Sequence, residues 1–280
     1  MIANYRKNFT YIYKEKNISY KEICDEIDFV TEILTQIKPI NIGIIQDLTK
    51  EQIELIKGVL EEHVETKKPL QYILGKAFFA GKIYYVNQDT LIPRPETEFL
   101  VDLCCQYADK NKNYKILDIG TGSGCIAVEL ALRIPKANIT ASDISKKAID
   151  IAIKNASKYG VSQNISFIKS NLFSNIKDKF DIIVSNPPYI DYTDIEEVQQ
   201  DVFDFEPHRA LFAPDKGLYF YKKITEQSYN HLNANGVLAF EIGWKQYEKV
   251  AEIMKNKNFT NIEFVKDLED IRRVISGIKN

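Results

Sequence analysis

The first 75 residues carry apolar side chains at helical spacing, and two capping boxes mark where helices begin. The box Ser19-Tyr20-Lys21-Glu22 precedes one apolar face, made of Ile23, Ile27, Val30, Leu34 and Ile37. The box Thr49-Lys50-Glu51-Gln52 precedes another, made of Ile53, Ile56 and Leu60, which we expect to end at Pro69. A weaker helical pattern covers residues 8–16. The pattern predicts a small helical bundle over residues 1–76, too small to be stable alone. It contains no cluster of reactive residues, so we expect a docking or scaffold domain.

From residue 115 onward, short apolar runs alternate with amphipathic stretches. The runs predict strands at 115–119, 138–142, 165–168, 181–185 and 237–241, with a final hairpin from 262–265 and 273–275. The amphipathic stretches predict helices near 125–133, 145–159, 218–232 and 246–255. Such alternation is typical of an α/β fold whose parallel sheet has helices on both faces.

Aromatic and β-branched residues at 78–86 predict a short β-hairpin that links the bundle to this sheet. A helix is expected after it, with Pro95 in its first turn and an apolar face running on to Tyr107. We therefore divide the chain into a helical domain at 1–76, a hairpin linker at 77–93 and a catalytic domain at 94–280.

Composition narrows the class of protein. The chain has 45% apolar and 27% charged residues and a net charge of −2, without the basic excess of proteins that grip nucleic acid. Its four cysteines form no C-x-x-C pair and its three histidines lie at no ligand spacing, so no metal site is predicted. No signal peptide and no apolar run of membrane-spanning length is visible, which favours a cytoplasmic protein.

A Gly-rich turn follows the first strand of the predicted sheet. The residues Gly120, Thr121, Gly122, Ser123 and Gly124 come between a strand and a helix, and Asp143 ends the next strand. Glycines let the backbone approach a ligand, and an acidic residue about 20 positions on can bind ribose hydroxyls. Asp118 would repel a pyrophosphate but attract an ammonium group, so S-adenosylmethionine is preferred over a dinucleotide. A turn that binds no ligand is the alternative.

A second strand end carries Asn186, Pro187, Pro188 and Tyr189. The prolines stiffen the turn, and the carboxyl end of a parallel strand is where open α/β sheets bind ligands. The Asn186 side-chain carbonyl and the Pro187 main-chain carbonyl can accept both hydrogens of a planar NH2 group, and Tyr189 offers a flat face. Orienting such a nitrogen toward a methyl donor can accelerate its methylation without a general base or a metal.

These residues resemble those of the peptide chain release factor N5-glutamine methyltransferases, which have the class I S-adenosylmethionine-dependent fold with a Rossmann-like seven-stranded sheet. The similarity covers nearly the whole chain. It includes the segments 71–75, 91–98, 118–124, 186–190, Glu206-Pro207 with Ala210-Leu211, and Glu241-Ile242-Gly243 with Gln246. The Asn-Pro-Pro-Tyr turn alone is shared with methylases of exocyclic amines, whereas Ile-Pro-Arg-Pro-Glu-Thr-Glu is more specific.

The resemblance implies transfer of a methyl group from S-adenosylmethionine to the glutamine of the Gly-Gly-Gln motif in class I release factors, leaving S-adenosylhomocysteine. It implies that the cofactor is bound by Gly120, Thr121, Gly122, Ser123, Gly124, Asp143, Leu172 and Asn186. It also implies that Asn186, Pro187, Pro188 and Tyr189 hold the glutamine, with Asn186 and Pro187 acting in catalysis. Asn171 replaces the family's usual Asp, and Leu172 a common aromatic residue, so weaker cofactor binding is expected.

Two other functions fit the same residues. One is methylation of an exocyclic amine in DNA or RNA, through the same Asn-Pro-Pro-Tyr turn. The other is a module that binds the cofactor without catalysis. The resemblance favours the release factor as protein substrate, with no stable nucleic acid or membrane partner.

Overall fold

The computed structural model describes residues 5–13, 18–109 and 112–280. It divides into two compact units, Met1–Lys76 with Gln200–Phe205, and Ala77–Gln199 with Glu206–Asn280. The hairpin that we expected as a linker lies in the second unit, because Phe79 and Tyr84 are buried in that unit's core.

The first unit is helical. Its α-helices are α1 (Tyr20–Thr35), α2 (Lys50–Thr66) and α3 (Leu70–Leu74), with 3-10 turns at Tyr5–Asn8, Thr10–Tyr13 and Pro39–Asn41. Both predicted capping boxes are confirmed, with Ser19 and Thr49 as the capping residues. Residues such as Phe9, Ile27, Ile56 and Leu60 are fully buried and form its core.

Two details of this unit differ from the prediction. The second helix ends at Thr66, and Pro69 instead caps the start of α3, since proline supplies no N–H to continue a helix but suits its beginning. The segment predicted as helical at 8–16 forms 3-10 turns up to Tyr13, and its last residues lie outside the described ranges.

The second unit is built on a sheet of seven strands, which are β3 (Lys115–Ile119), β4 (Asn138–Asp143), β5 (Ile165–Lys169), β6 (Phe180–Ser185), β9 (Leu232–Glu241), β10 (Phe259–Lys266) and β11 (Arg272–Lys279). Their order across the sheet is β10-β11-β9-β6-β3-β4-β5. The strands β3, β4, β5, β6 and β9 run parallel, and β11 pairs antiparallel with both β9 and β10. Two small sheets accompany it, β1 (Lys76–Phe79) with β2 (Lys82–Tyr85) and β7 (Ile190–Asp191) with β8 (Phe212–Ala213). The predicted seven-stranded α/β fold is confirmed.

Helices cover both faces of this sheet. They are α4 (Glu96–Tyr107), α5 (Cys125–Arg133), α6 (Lys146–Lys158), α9 (Tyr219–His231) and α10 (Tyr247–Lys255). The short α8 (His208–Leu211) packs against β8, and α7 (Gln200–Phe205) belongs to the first unit. Successive residues of β3 point to opposite faces, so Ile116 joins the core under α4 and α5, and Leu117 joins the core under α9 and α10. No helix in the described ranges is long and apolar enough to cross a bilayer.

The chain crosses from one half of the sheet to the other after β5. From β3 it proceeds outward to β4 and β5, then returns to β6 on the other side of β3. The strand order therefore reverses between β3 and β6, and the crevice at such a reversal is where open α/β sheets bind ligands. Both motifs of interest follow these two strands directly.

Candidate active site

A cavity of about 400 Å³ opens at the carboxyl ends of the parallel strands. Its wall is formed by the loop after β2, the Gly-rich turn after β3, the ends of β4 and β5, the turn after β6, and residues of α8 and α9. The predicted site residues on this wall are Gly120, Thr121, Gly122, Ser123, Asp143, Leu172, Asn186, Pro187 and Pro188. The fold therefore brings the two motifs to one cavity, while Gly124 and Tyr189 lie beside it rather than on its wall.

The Gly-rich turn owes its shape to left-handed backbone conformations that glycine adopts easily. Gly120 and Gly122 have φ values of 73° and 55°. The amides of Gly120 and Thr121 both donate to the carbonyl oxygen of Ser142, at 2.8 and 2.9 Å. The turn is thereby tied to the end of the neighbouring strand β4.

Asp143 braces this turn from the tip of β4. One carboxylate oxygen accepts the Gly122 N–H at 3.0 Å, and the other accepts the Ser145 N–H at 2.8 Å. Each oxygen keeps further lone-pair capacity, so the same carboxylate can still accept hydroxyl groups from a ligand in the cavity. Its predicted role toward ribose is compatible with this geometry.

Gly124 lies beside the cavity and makes a close packing contact. Its φ is 80°, and a Cβ added there would lie 2.8 Å from the Cβ of Ala152. The absent side chain lets α5 begin directly against α6. This close approach of the two helices fixes the position of the Gly-rich turn beside the cavity.

A buried carboxylate lies beneath the turn. Asp118 is fully buried, and one of its oxygens accepts the Thr121 hydroxyl at 2.6 Å, while its Oδ1 has no partner among the described residues. Burial raises the pKa of Asp118 to about 7, with the Asp143 charge adding to the effect. A lone buried carboxylate oxygen with a raised pKa is a group that a ligand cation would stabilise.

The end of β5 forms the adjoining wall. Leu172 has a φ of 49°, and its carbonyl oxygen accepts the Ser170 hydroxyl at 2.7 Å. The Ser170 amide donates to the carbonyl of Asp143 at 2.9 Å, which joins the end of β5 to the end of β4. Asn171 and Leu172 therefore sit side by side on the cavity wall.

Asn186 is held by a chain of hydrogen bonds that ends on a buried carboxylate. Its Nδ2 donates to the Thr97 hydroxyl at 3.2 Å, and that hydroxyl donates to Glu241 Oε2 at 2.6 Å. Burial raises the pKa of Glu241 to about 7, and the hydrogen bond from Thr97 opposes the rise. Because Nδ2 faces this chain, the Asn186 side-chain oxygen faces away from it.

The rest of the Asn-Pro-Pro-Tyr turn is fixed by main-chain contacts. The Tyr189 N–H donates to the Leu211 carbonyl at 3.2 Å, and the Gln246 side chain donates to the Tyr189 carbonyl at 3.0 Å. The Tyr189 ring packs against the apolar core under α9 and α10. The Pro187 carbonyl has no hydrogen-bond partner within the described residues, so it remains available to a ligand.

A partly buried ion pair, in which Glu206 is the buried partner, holds the loop that carries Pro93 and Arg94. Glu206 accepts hydrogen bonds from the Arg94 guanidinium and from the Ile92 amide, the latter at 3.2 Å. Arg94 also donates to the Ile92 carbonyl at 3.2 Å. Both Pro93 and Arg94 of this loop lie on the cavity wall.

Thr97, Glu206 and Glu241 were not among the predicted site residues. All three lie in the family segments quoted above, and similarity is the only signal that marks Thr97 and Glu206. A stronger signal was present for Glu241, since a carboxylate that ends a buried apolar strand must lie at the same sheet edge as Asn186. Their partners are 89 to 144 residues away in the chain, which is why local spacing does not find them.

The mixed seven-stranded sheet and the Gly-rich turn after its first strand define a class I S-adenosylmethionine-dependent methyltransferase fold. A family model described as the methyltransferase small domain matches residues 97–208. A crystal structure of a methyltransferase from Pyrococcus furiosus has the same fold, with a TM-score of 0.54 and 19% identity over 70% of this chain and 88% of that chain.

Curated relatives narrow the family. The release factor glutamine methyltransferase of Flavobacterium psychrophilum is 40% identical over 98% of this chain and 98% of its own length. The release factor glutamine methyltransferase of Lactococcus lactis is 40% identical over 83% of this chain and 85% of its own length. The chain belongs to the release factor glutamine methyltransferase family.

Proposed function

We propose that this enzyme transfers a methyl group from S-adenosylmethionine to the side-chain nitrogen of the glutamine in the Gly-Gly-Gln motif of class I release factors. The observation that carries the proposal is the orientation of Asn186. Its NH2 group is tied back to Thr97, so its side-chain oxygen is free to accept a hydrogen from a planar amide. The names of relatives at 40% identity supply the class of substrate.

The residues on the cavity wall fit S-adenosylmethionine. The volume of about 400 Å³ lies in the range of small-molecule sites. Behind this wall, the charge of fully buried Asp118 would favour the ammonium group, and Asp143 on the wall suits the ribose hydroxyls. Asn171 and Leu172 would hold the adenine, and the Gly-rich turn would carry the remaining main-chain contacts. When bound, the cofactor supplies a methyl carbon on a positively charged sulfur, which a nitrogen lone pair can attack.

The protein's contribution is orientation of the amide nitrogen. An amide nitrogen is a weak nucleophile because its lone pair is delocalised into the carbonyl group. The Asn186 side-chain oxygen and the Pro187 carbonyl would accept its two hydrogens and so fix the direction of that lone pair. Fixing reacting groups in this way can contribute several powers of ten in rate. The residues at this position bind and orient the amide rather than abstract a proton.

Substrate recognition is assigned to the helical domain, residues 1–76, and catalysis to residues 94–280, with 77–93 between them. The helical unit carries exposed apolar side chains, including Ile44, Ile45 and Leu55, that could contact a protein partner. A release factor substrate implies a cytoplasmic location, and no stable nucleic-acid or membrane partner is part of the proposal.

A peptide-level methylation assay tests the function. The purified enzyme is incubated with a class I release factor and methyl-labelled S-adenosylmethionine, and the release factor is then digested. We expect one labelled peptide, the one containing Gly-Gly-Gln, and no label in a release factor whose motif glutamine is changed to alanine. Label that appears only in added DNA or RNA, or none at all, would overturn the proposal.

A further inference from the structure

The two ends of the Asn186 side-chain amide are chemically opposite, and one of them suits the proposed substrate. The oxygen accepts hydrogen bonds, whereas the NH2 group donates them. A substrate amide nitrogen also donates two hydrogens, so an Asn186 NH2 group facing the cavity would oppose it. We use polarity for which end of the Asn186 amide, oxygen or NH2, faces the cavity. The groups that fix this polarity therefore decide whether the site can hold its substrate.

The structure contains a chain of groups that fixes it. Asn186 Nδ2 lies 3.2 Å from Thr97 Oγ1, and Thr97 Oγ1 lies 2.6 Å from Glu241 Oε2. Thr97 is 3% exposed and Glu241 is 3% exposed, so water does not substitute for either partner. The three residues come from the start of α4, the end of β6 and the end of β9.

The direction of these two hydrogen bonds follows from the number of hydrogens that each group can donate. An ionised carboxylate can only accept, so above the Glu241 pKa of about 7 the single hydroxyl hydrogen of Thr97 is committed to Glu241. The Thr97 oxygen is then left as an acceptor, and it can pair only with the NH2 end of Asn186. The Arg273 guanidinium, whose Nε donates to Asp267 at 2.8 Å, lowers the pKa of Glu241 by its charge and so favours the ionised form that this arrangement requires.

We propose that Thr97 and Glu241 are positioning residues, which fix the polarity of the Asn186 amide so that its oxygen faces the substrate. This inference rests on the proposed function. Neither residue needs to touch the reacting atoms, since both act through Asn186.

The test compares three substitutions at Thr97 and Glu241 with one matched control. Thr97→Val keeps the shape of the side chain and removes its hydroxyl, whereas Thr97→Ser keeps the hydroxyl. Glu241→Gln can donate as well as accept, so it allows either polarity of the Asn186 amide. The control is Thr225→Val in α9, where the hydroxyl is equally buried and has no partner among the described residues. All four proteins are first checked for folding by circular dichroism and thermal melting.

We expect kcat on a release factor to fall about tenfold in Thr97→Val, the equivalent of ~1.4 kcal/mol. Glu241→Gln should lose several-fold in kcat, because the two polarities become similar in energy. Thr97→Ser and Thr225→Val should stay within about twofold of wild type. The Kd for S-adenosylmethionine, measured by calorimetry, should change by less than about twofold in all four, which a general loss of structure would not allow.

A second readout follows Asn186 itself. With ¹⁵N-asparagine labelling, the side-chain NH2 signal of Asn186 is identified by its absence in Asn186→Asp. We expect its two protons to be widely separated in wild type, where one is hydrogen-bonded, and to move together in Thr97→Val.

The outcomes separate this inference from the proposed function. If wild type labels the Gly-Gly-Gln peptide but Thr97→Val matches it in kcat and in the Asn186 signal, the positioning role is wrong and the function stands. If wild type labels no release factor, the function fails, while an Asn186 signal that changes in Thr97→Val still supports the fixed polarity.

Discussion

At the Gly-rich end of the cavity the shape is set by the main chain of a few consecutive residues, whereas at the Asn-Pro-Pro-Tyr end it is set by side chains from distant segments. Gly120, Gly122 and Gly124 have positive φ values, and this conformation curves the backbone around the ligand space, with the Asp143 side chain bracing it. Asn186 instead depends on Thr97 and Glu241, which reach it from two other elements. The first end is local, and the second is assembled by the fold.

The two ends of the cavity should respond differently to substitution. A local turn is disturbed by changes to its own backbone, and such changes also affect the packing of the helices beside it. An assembled site can lose its function through one hydroxyl group, while the fold remains intact. Substitutions at the two ends should therefore separate catalysis from stability.

The largest effect is expected for Asn186→Ala. It removes one of the two oxygens proposed to orient the substrate, and the loss of one such group costs on the order of 10²–10³ in kcat. Stability should change little, because the Asn186 side chain is only partly buried. Steady-state methylation of a release factor and a denaturant titration measure the two quantities.

Asn233→Ala is the matched control for this variant. Asn233 donates to Asp181 at 2.7 Å at the opposite end of the sheet, so its removal should cost about 1 kcal/mol of stability and leave kcat unchanged. A similar loss of kcat in both variants would show that Asn186 acts through the fold.

Gly124→Ala should produce the reverse result, a loss of stability first. The new methyl group would meet Ala152 at 2.8 Å and would also require a left-handed conformation. Overpacking and the strained φ together should lower the free energy of unfolding by ~2–4 kcal/mol. The affinity for S-adenosylmethionine should fall with it, because the turn is displaced from the cavity.

Gly160→Ala separates the two causes. Its φ is 69°, but an added Cβ would meet no atom within 4 Å, so only the backbone strain of ~1–2 kcal/mol applies. Urea titrations of both variants give the comparison. Equal destabilisation would mean that the contact between α5 and α6 contributes nothing to the position of the turn.

One buried carboxylate also lies behind each end of the cavity, Asp118 and Glu241, and both should make stability depend on pH. Burial raises the pKa of Asp118 from 3.8 and that of Glu241 from 4.5, each to about 7. Between about pH 4 and pH 7 the folded protein keeps protons that the unfolded chain has lost. The stability contributed by these groups is therefore complete at low pH and is lost as the pH rises through 7.

We expect the free energy of unfolding of the ligand-free protein to fall between pH 5 and pH 7, by at most ~1.4 kcal/mol per pH unit for each group. Asp118→Asn and Glu241→Gln should each make this slope shallower. Urea titrations at several pH values measure it. An unchanged slope in both variants would contradict the raised pKa values.

The same contrast explains what the sequence could predict. The strand at Lys115–Ile119 and the helix at Cys125–Arg133 were predicted with their bounds correct, because apolar periodicity and the glycines between them are local signals. The position of Asn186 directly after a strand could also be predicted from the sequence. Its link to Thr97 and Glu241 was not, because nothing in the local pattern records which side chains meet across the sheet edge.

The smallest predicted effect concerns Asn171, the residue that departs from the family's usual aspartate on the cavity wall. Asn171→Asp should tighten the binding of S-adenosylmethionine several-fold, since an ionised acceptor forms a hydrogen bond to the adenine amino group about twice as strong as a neutral one. Asn175→Asp adds the same charge to an exposed residue that is not on the cavity wall, and it should leave the Kd unchanged. Calorimetric titration of the three proteins decides the matter. An equal gain in both variants would point to the field of the added charge, and no gain at Asn171→Asp would remove this residue from the adenine contact.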